Sequence, residues 1–140
     1  MAAYNKFNAF VEGQWNDKID WNSDVFKLLA TNVSPVATNS VKADLTEITP
    51  GNGYSAGGPT VSVSTNRVAG TLTVSGGQVV ITAAGGPIST FQYLSLYDDT
   101  VATKPLVAWF DYGSPLTMAD TNTLTVRFNG ANPGTIHTVS

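Results

Sequence analysis

Residues 69–86, AGTLTVSGGQVVITAAGG, decide the fold class of this chain. Two runs rich in Val, Ile, Leu and Thr flank Gly76-Gly77, and a glycine pair between such runs is typical of a β-hairpin turn. Just before this stretch, Val61 and Val63 alternate with serines, a period of two that predicts a half-buried strand. The stretch therefore predicts two antiparallel strands joined by a turn.

The composition agrees with a β-rich domain of ordinary size. The chain has 140 residues, about one domain, and 42% of them are hydrophobic, enough for a core. Only 12% are charged, about half of the usual quarter. Eighteen Thr, eleven Ser and eleven Asn supply the polar surface instead. Thr suits half-exposed strands, whereas the helix-favouring Lys and Glu are scarce, so the composition predicts an all-β fold.

Further strands and one helix complete the predicted domain. A helix is predicted over Thr38–Ile48, because Val41, Leu45 and Ile48 fall at i, i+4 and i+7 and a proline follows. About eight strands at the observed spacing predict an antiparallel β-sandwich, with jelly-roll topology and one short helix near residues 38–48. The additional strands are predicted at residues 25–32, 91–97, 104–114, 122–130 and 135–139.

The first 22 residues differ from the rest because they hold five of the fourteen aromatic residues. Phe7, Ala9 and Val11 share a strand parity, although the spacing of the first three aromatics also fits a helical turn. We favour an extended arm that leads into a first strand. The chain is accordingly divided into an N-terminal segment, residues 1–22, and a single β-sandwich domain, residues 23–140.

Charge and cysteine content exclude several classes of function. The net charge is −3 and the seven cations are spread along the chain, so no basic cluster is available for a nucleic acid. There is no cysteine, which removes disulfides and Cys-ligated zinc. No apolar run approaches the roughly 18 residues of a membrane span, and polar residues interrupt any secretory leader. We expect no nucleic-acid or membrane partner, and a protein made and kept in a cytoplasm.

The glycine-rich loop EITPGNGYSAGGP, residues 47–59, contains Gly51-x-Gly53-x-x-Ala56, which fits a relaxed dinucleotide-binding pattern. That pattern works only between a buried strand and the first turn of a helix. Here it follows the predicted helix and precedes a strand that begins at Thr60. We interpret the loop as a surface bend in which glycine permits positive φ, without a bound cofactor.

Candidate catalytic and metal-binding residues are few. Asp98, Asp99 and Asp111 could hold Ca²⁺ or form a glycosidase pair if their strand ends meet. The segment YDDTVATKP is more simply a solvated hairpin loop in which Asp bonds its own backbone. His137, the single histidine, is interpreted as an exposed polar residue on a terminal strand, since no G-x-S-x-G elbow accompanies it. We expect no enzyme, no cofactor and no metal.

The three tryptophans, Trp15, Trp21 and Trp109, could together form a sugar-stacking platform. Trp109 is more simply a core residue, because it shares the predicted strand face of Val107. Trp15 and Trp21 are the better candidates for a surface role.

The order of the segments resembles a family of virion proteins. MAAYNKFNAFVEG, then FKLLATNVSPVATNSVKADLTEITPGNGYSAGG, then LYDDTVATKPLVAWFDYGSPLTM are similar to small capsid cement, or decoration, proteins of tailed phages. The resemblance covers most of the chain and is strongest at residues 1–58 and 93–118. It implies a jelly-roll subunit bound to the outside of an HK97-type shell, with no catalytic residues.

The resemblance and the residues together lead to one functional expectation. We expect a structural virion protein on the outer capsid surface that contacts the major capsid protein and itself. A homodimer is favoured over a trimer because twofold association is the commonest symmetry. The alternative is a phage tail or receptor-binding module whose aromatic residues bind glycans. Because Tyr and Trp are favoured at interface hot spots, the candidate capsid or subunit interface comprises Tyr4, Phe7, Phe10, Trp15 and Trp21. The alternative is that Phe7 and Phe10 belong to the core of the domain itself, with Trp15 and Trp21 covering its edge.

Overall fold

The described part of the chain forms antiparallel β-sheets with one short α-helix, which confirms the predicted all-β class. This computed structural model describes residues 3–16 and 18–140. The α-helix, α1, is Asn8–Trp15, and 3₁₀ turns lie at Lys42–Asp44 and Phe128–Gly130. The strands are β1 (Ala3–Lys6), β2 (Phe26–Thr31), β3 (Thr60–Val61), β4 (Val63–Val68), β5 (Thr71–Gly76), β6 (Val79–Thr82), β7 (Ile88–Asp98), β8 (Leu106–Met118), β9 (Thr123–Val126) and β10 (Gly134–Val139).

The strands are arranged in two layers. Five of them form the larger sheet, in the order β1-β8-β7-β2-β3, and the others form the smaller sheets β10-β5-β4 and β6-β9. β5 and β6 follow each other along the chain, and so do β9 and β10. Because β9 pairs with β6 and β10 with β5, both antiparallel, these two stretches of chain connect the two smaller sheets. Side chains of both layers meet in one main core, so the architecture is sandwich-like. The jelly-roll topology stays a prediction.

The strand pairing corrects the predicted hairpin at Gly76-Gly77. In the described structure β5 forms its hairpin with β4, across Ala69 and Gly70, and β6 pairs with β9 instead. Gly76 has a different role, because a Cβ at this position would lie 2.6 Å from the Phe128 ring. The glycine therefore permits close packing between the chain and an aromatic core residue.

The larger sheet is buried on both faces, which explains why β2 reads as a nearly continuous apolar run. Its inner face contributes Phe26, Leu28 and Ala30 to the main core. Its outer face carries a second cluster, so alternate residues of β2 are buried in different cores. This second cluster consists of Phe7, Leu29, Tyr97 and Leu106, with Leu45 and Trp109 packed against it.

The helix predicted for residues 38–48 is wrong, since only the 3₁₀ turn Lys42–Asp44 forms there. Leu45 packs against the second cluster, whereas Ile48 reaches the main core. The Ile48 N–H donates to the Ala30 carbonyl oxygen at 3.1 Å, which holds the segment against β2. The apolar side chains of this segment therefore pack into two different clusters and do not form one face of a helix.

The extended arm expected at the N-terminus is also corrected. Residues 3–6 form the edge strand β1, which pairs with β8, and α1 begins two residues after it. The helix has eight residues and no side-chain N-cap, so its stability depends on tertiary packing. Phe10 and Gly13 are its buried residues, and they fix which face of the helix points outward.

Irregular pairing between β7 and β8 changes which side chains share a face. The register shifts between Leu106 and Ala108, so Val107 is an extra residue in β8. Val107 consequently lies in the main core while Trp109 packs against the second cluster, and the predicted shared face is wrong. A second irregularity leaves residues 112–115 outside the register with β7.

Candidate functional site

The five aromatic residues expected to form an interface divide into buried and exposed ones. Phe7 is 0% exposed and Phe10 is 1% exposed, so both belong to this chain's own core and present no surface to a partner. The Phe7 ring packs on Trp109 with centroids 4.6 Å apart, and Phe10 meets Trp21 edge-on at 5.8 Å. The predicted interface is therefore corrected at Phe7 and Phe10.

Trp21 and Tyr4 are partly covered by neighbouring rings. The Trp21 ring stacks on Phe26 with centroids 4.6 Å apart and an interplanar angle of 17°. The Tyr4 ring meets Phe110 edge-on at 5.9 Å. Burial raises the pKa of the Tyr4 hydroxyl to about 12, so this group is a neutral hydrogen-bond donor at physiological pH. Each of the two residues offers part of its ring to a partner.

The outward face of α1 carries the most exposed large apolar side chain of the described residues. Trp15 is 75% exposed and Val11 is 45% exposed. The two are four residues apart, so they are neighbours on the helix surface, turned away from the buried Phe10 and Gly13. We call Val11 and Trp15 the α1 ridge.

A groove of about 1010 Å³ opens between the two layers. One wall comes from β1, β7 and β8, and the other comes from β9, β10 and the 3₁₀ turn before β10. Aromatic and aliphatic side chains, among them Phe91, Phe110, Leu124 and Phe128, give the groove an apolar surface. Its size is that of a small-molecule site, and such sites are mostly apolar with a few placed polar groups.

Polar side chains also line the groove. Tyr112 is 55% exposed, and the Gln92 amide is held in place because its Nε2 donates to Asp111 Oδ1 at 2.9 Å. Arg127 is the only charged side chain among the lining residues, and its Nε donates to Gln78 Oε1 at 3.2 Å. The sequence pattern predicted the strands here but missed the groove, because local alternation does not show which strands face each other.

The glycine loop has the predicted positive φ at its glycines and leads into β3 at Thr60, as expected. It is more than a surface bend, because it also packs closely against β2 and β7. Gly58, at φ +82°, runs so near β2 that a Cβ would lie 1.6 Å from the Leu28 carbonyl oxygen. The buried Tyr54 donates to Glu47 Oε1 at 2.9 Å, and Tyr97 donates to a loop carbonyl oxygen at 2.8 Å. The loop leads into the short strand β3, not into a helix, so the junction that a dinucleotide site requires does not form.

The three aspartates considered for calcium do not come together. Asp98 ends β7, while Asp111 pairs with the residue of β7 five positions earlier, about 17 Å away at 3.4 Å per residue. The Asp99 carboxylate binds Lys27 at 3.1 Å and Lys104 at 2.6 Å. Among residues 3–16 and 18–140, no group of three or more His, Cys, Asp or Glu side chains could hold a metal ion.

Two polar residues expected to be solvated are not. Asp98 is 0% exposed, so it is not a residue of a solvated hairpin loop. His137 lies in β10, half-buried, and its ring meets Phe10 edge-on at 5.2 Å. Burial, followed by the positive charge of Lys6, lowers the pKa of His137, which favours the neutral imidazole. Both residues belong to the packing of the domain.

The tryptophans do not form a common sugar-stacking platform. Trp21 packs against the main core, and Trp109 packs against the second cluster on the opposite face of the larger sheet. Trp15 lies on the outward face of α1, apart from both. Only Trp15 presents most of its ring to solvent.

In comparisons with known proteins, no family model, no curated protein and no solved structure matches the chain. In the part of the chain that the structure describes, no helix is long and apolar enough to cross a membrane. The candidate functional features are therefore the α1 ridge and the groove between the layers.

Proposed function

We propose that this chain is a structural virion protein that binds the outside of an HK97-type capsid and stabilises it. The α1 ridge supports this proposal, because Trp15 is 75% exposed on a helix whose other face is anchored. Trp is among the residues that contribute most at interface hot spots, where a large ring is removed from water. The resemblance of the sequence segments to capsid cement proteins points to the same class.

The ridge is held in a fixed position by the residues around α1. The Phe7 N–H donates to the Val107 carbonyl oxygen at 3.2 Å, and the Asn8 N–H donates to the Ala37 carbonyl oxygen at 2.9 Å. Phe10 is buried below the helix. A side chain presented on an ordered support loses less conformational entropy on binding, which favours affinity.

The proposed stabilisation is mechanical and involves no chemical step. A standard interface buries about 800 Å² per partner, and a single apolar ridge supplies only part of that area. Contacts with the major capsid protein, together with association between two copies of this chain, would raise the overall affinity through avidity. The protein would be made in the host cytoplasm and act on the outer capsid surface.

Replacing Trp15 with alanine tests the proposed contact. We expect the Trp15→Ala variant to bind capsids stripped of the protein at least about tenfold more weakly, because truncating a hot-spot residue costs about 2 kcal/mol or more. The fold should be unchanged, since the ring is mostly exposed. Co-sedimentation over a concentration series measures the binding, and circular dichroism checks the fold.

The matched control is Tyr112→Ala, which removes another exposed aromatic ring that lines the groove and is not part of the α1 ridge. This variant should bind stripped capsids as the wild type does. Wild-type binding by Trp15→Ala would contradict the role of the α1 ridge. Complete and stripped capsids that break at the same temperature would contradict the stabilising function itself.

The groove favours a second candidate function, a tail or receptor-binding module that holds a glycan. Tyr4 and Tyr112 offer ring surfaces on which a sugar can stack, and Gln92 and Asn129 offer neutral hydrogen-bonding groups. A glycan array distinguishes the two functions. Binding that Tyr112→Ala abolishes and Trp15→Ala retains would support the module, whereas an array without bound glycan would count against it.

A further inference from the structure

Asp98 is a buried carboxyl group with one oxygen that lacks a hydrogen-bond donor. Its side chain is 0% exposed at the end of β7. Oδ1 accepts hydrogen bonds from the backbone N–H of Thr100 at 2.8 Å and of Val101 at 3.4 Å. Oδ2 is buried and receives no hydrogen bond from the residues that the structure describes. An ionised carboxylate in such a position is strongly destabilising, so Oδ2 requires a proton or a cation.

The group that meets Asp98 is a second carboxyl. Asp24 lies just before β2, whose first residue, Phe26, pairs with Asp98. The Asp24 side chain lies next to that of Asp98, so a hydrogen bond can form between the two carboxyl groups once one of them is protonated. Two adjacent carboxylates repel each other when both are ionised, whereas one shared proton lets the protonated group donate to the ionised one.

Within residues 3–16 and 18–140, the lysines nearest to the pair bind another carboxylate. Lys27 of β2 and Lys104 of the loop between β7 and β8 both bind the Asp99 carboxylate. The Asp20 N–H donates to Asp24 Oδ2 at 2.8 Å. Asp24 is only partly buried, whereas Asp98 is 0% exposed, and burial disfavours the charged form of a carboxyl group. The Asp20 carboxylate is occupied by hydrogen bonds within its own turn. Asp98 is therefore the member that carries the proton.

We propose that Asp24 and Asp98 share one proton, and that this carboxyl pair is a pH-sensitive latch between the turn at residues 20–25 and the loop at residues 98–104. The proton lies on Asp98 Oδ2 and is donated to the Asp24 carboxylate. Two further hydrogen bonds join the same segments: the Asp99 N–H to the Val25 carbonyl oxygen, and the Val25 N–H to Thr100 Oγ1, each 2.7 Å long.

Loss of the shared proton places two negative charges side by side, one of them on the fully buried Asp98. Burial, followed by contact with Asp24, raises the pKa of Asp98 to about 7. Because the folded-state pKa exceeds the unfolded value of about 4, the contribution of Asp98 to stability is complete below about pH 4 and is lost as the pH rises through 7. The turn carries Trp21 and follows α1, so ionisation loosens the connection between α1 and β2.

Solution NMR of the isolated protein tests the latch independently of any capsid. With aspartate carboxyl groups labelled by ¹³C, we expect the Asp98 carboxyl to titrate about two or more pH units above an ordinary aspartate. Over the same pH range, protection of the amides at residues 22–25, corrected for intrinsic exchange, should fall about tenfold or more. Amides in the middle of β7 serve as the internal reference.

Three variants separate the latch from a general effect of pH. Asp98→Asn supplies a permanent donor to Asp24 and should keep the turn protected across the neutral range. Asp24→Asn removes the second charge and should also abolish the pH-dependent loss of protection. Asp111→Asn is the matched control, because its carboxylate accepts hydrogen bonds from Gln92 and Gly113 far from the pair, and it should retain the wild-type response.

Two results of these titrations would overturn the proposal, and a Ca²⁺ test could also overturn it. One is an Asp98 carboxyl that titrates in the ordinary range of aspartate. The other is a pH-dependent loss of protection that persists when either aspartate of the pair is replaced by asparagine. Millimolar Ca²⁺ gives the last test, because a cation could replace the proton. If Ca²⁺ shifts the Asp98 carboxyl resonance below pH 7, where the proton should occupy Oδ2, the pair is a cation site and the shared proton is wrong.

Discussion

At the scale of single residues, Gly58 controls how closely the glycine loop approaches β2. Its φ is +82°, in the left-handed region, and a Cβ there would lie 1.6 Å from the Leu28 carbonyl oxygen. The Leu28 N–H in turn donates to the Pro59 carbonyl oxygen at 3.0 Å, so loop and strand are joined at this point. A side chain at position 58 has no space unless the two backbones separate.

We expect Gly58→Ala to destabilise the protein by about 3 kcal/mol or more, because both the positive φ and the backbone clash oppose alanine. Urea unfolding followed by circular dichroism measures the change. Gly70→Ala is the control: no atom lies within 4 Å of a Cβ there, so we expect only a small effect. Similar losses for the two variants would show that the close approach at Gly58 is not important.

At the scale of elements, the 3₁₀ turn Lys42–Asp44 shows how one side chain shapes a segment that the apolar pattern assigned to a helix. Asp44 Oδ2 accepts hydrogen bonds from the Ser40 N–H at 2.8 Å and the Val41 N–H at 3.2 Å. These backbone hydrogen bonds, that from Ser40 first, lower the pKa of Asp44. The turn ends at once because Leu45 is extended and packs against the second cluster.

We expect Asp44→Ala to lower the melting temperature at neutral pH. A lowered folded-state pKa means that the contribution of Asp44 is present above the unfolded pKa of about 4 and is lost as the pH falls through the folded value. The difference in melting temperature between the variant and the wild type should therefore be smaller at acidic pH. Thermal melts at neutral and acidic pH measure this difference. Asp44→Asn, which keeps an acceptor oxygen, should lose less; equal losses for both variants would contradict this role.

At the scale of the whole molecule, the larger sheet is stabilised by apolar clusters on both of its faces. Phe26 and Leu28 lie in the main core, while Phe7 and Leu29 lie in the second cluster, and each of the four is 0% exposed. Burial of apolar surface contributes roughly 25 cal/mol per Å², so such clusters are the main source of stability in a chain without disulfides.

We expect the isolated protein to fold without any metal, so that EDTA leaves its melting temperature unchanged. The reason is that the described residues contain no group of three or more metal-binding side chains. Calorimetry of the protein with and without chelator measures this. A drop of more than a few degrees, restored by added Ca²⁺, would instead indicate a cation site of the kind tested at Asp24 and Asp98.

The candidate functional site could be predicted only in part from the sequence. The aromatic content of the N-terminal segment correctly pointed to Trp15 as an exposed residue, because Trp15 is 75% exposed. It also included Phe7 and Phe10, which are buried, because a count of aromatic residues does not tell which side of a helix meets the core. The groove between the layers and the Asp24–Asp98 pair gave no local signal, since each is formed by residues distant along the chain.

Alternation of apolar and polar residues and a high threonine content act locally, so the all-β class and the positions of most long strands can be predicted from the sequence. The position of the α-helix, in contrast, depends on tertiary contacts. Residues 38–48 have helical spacing, but the hydrogen bond from Ile48 to Ala30 and packing against two separate clusters keep most of the segment extended. Asn8–Trp15 is helical because Phe10 and Gly13 are buried against the rest of the domain. Likewise the extra residue Val107 reassigns side chains between the faces of β8, and register of this kind depends on the partner strand.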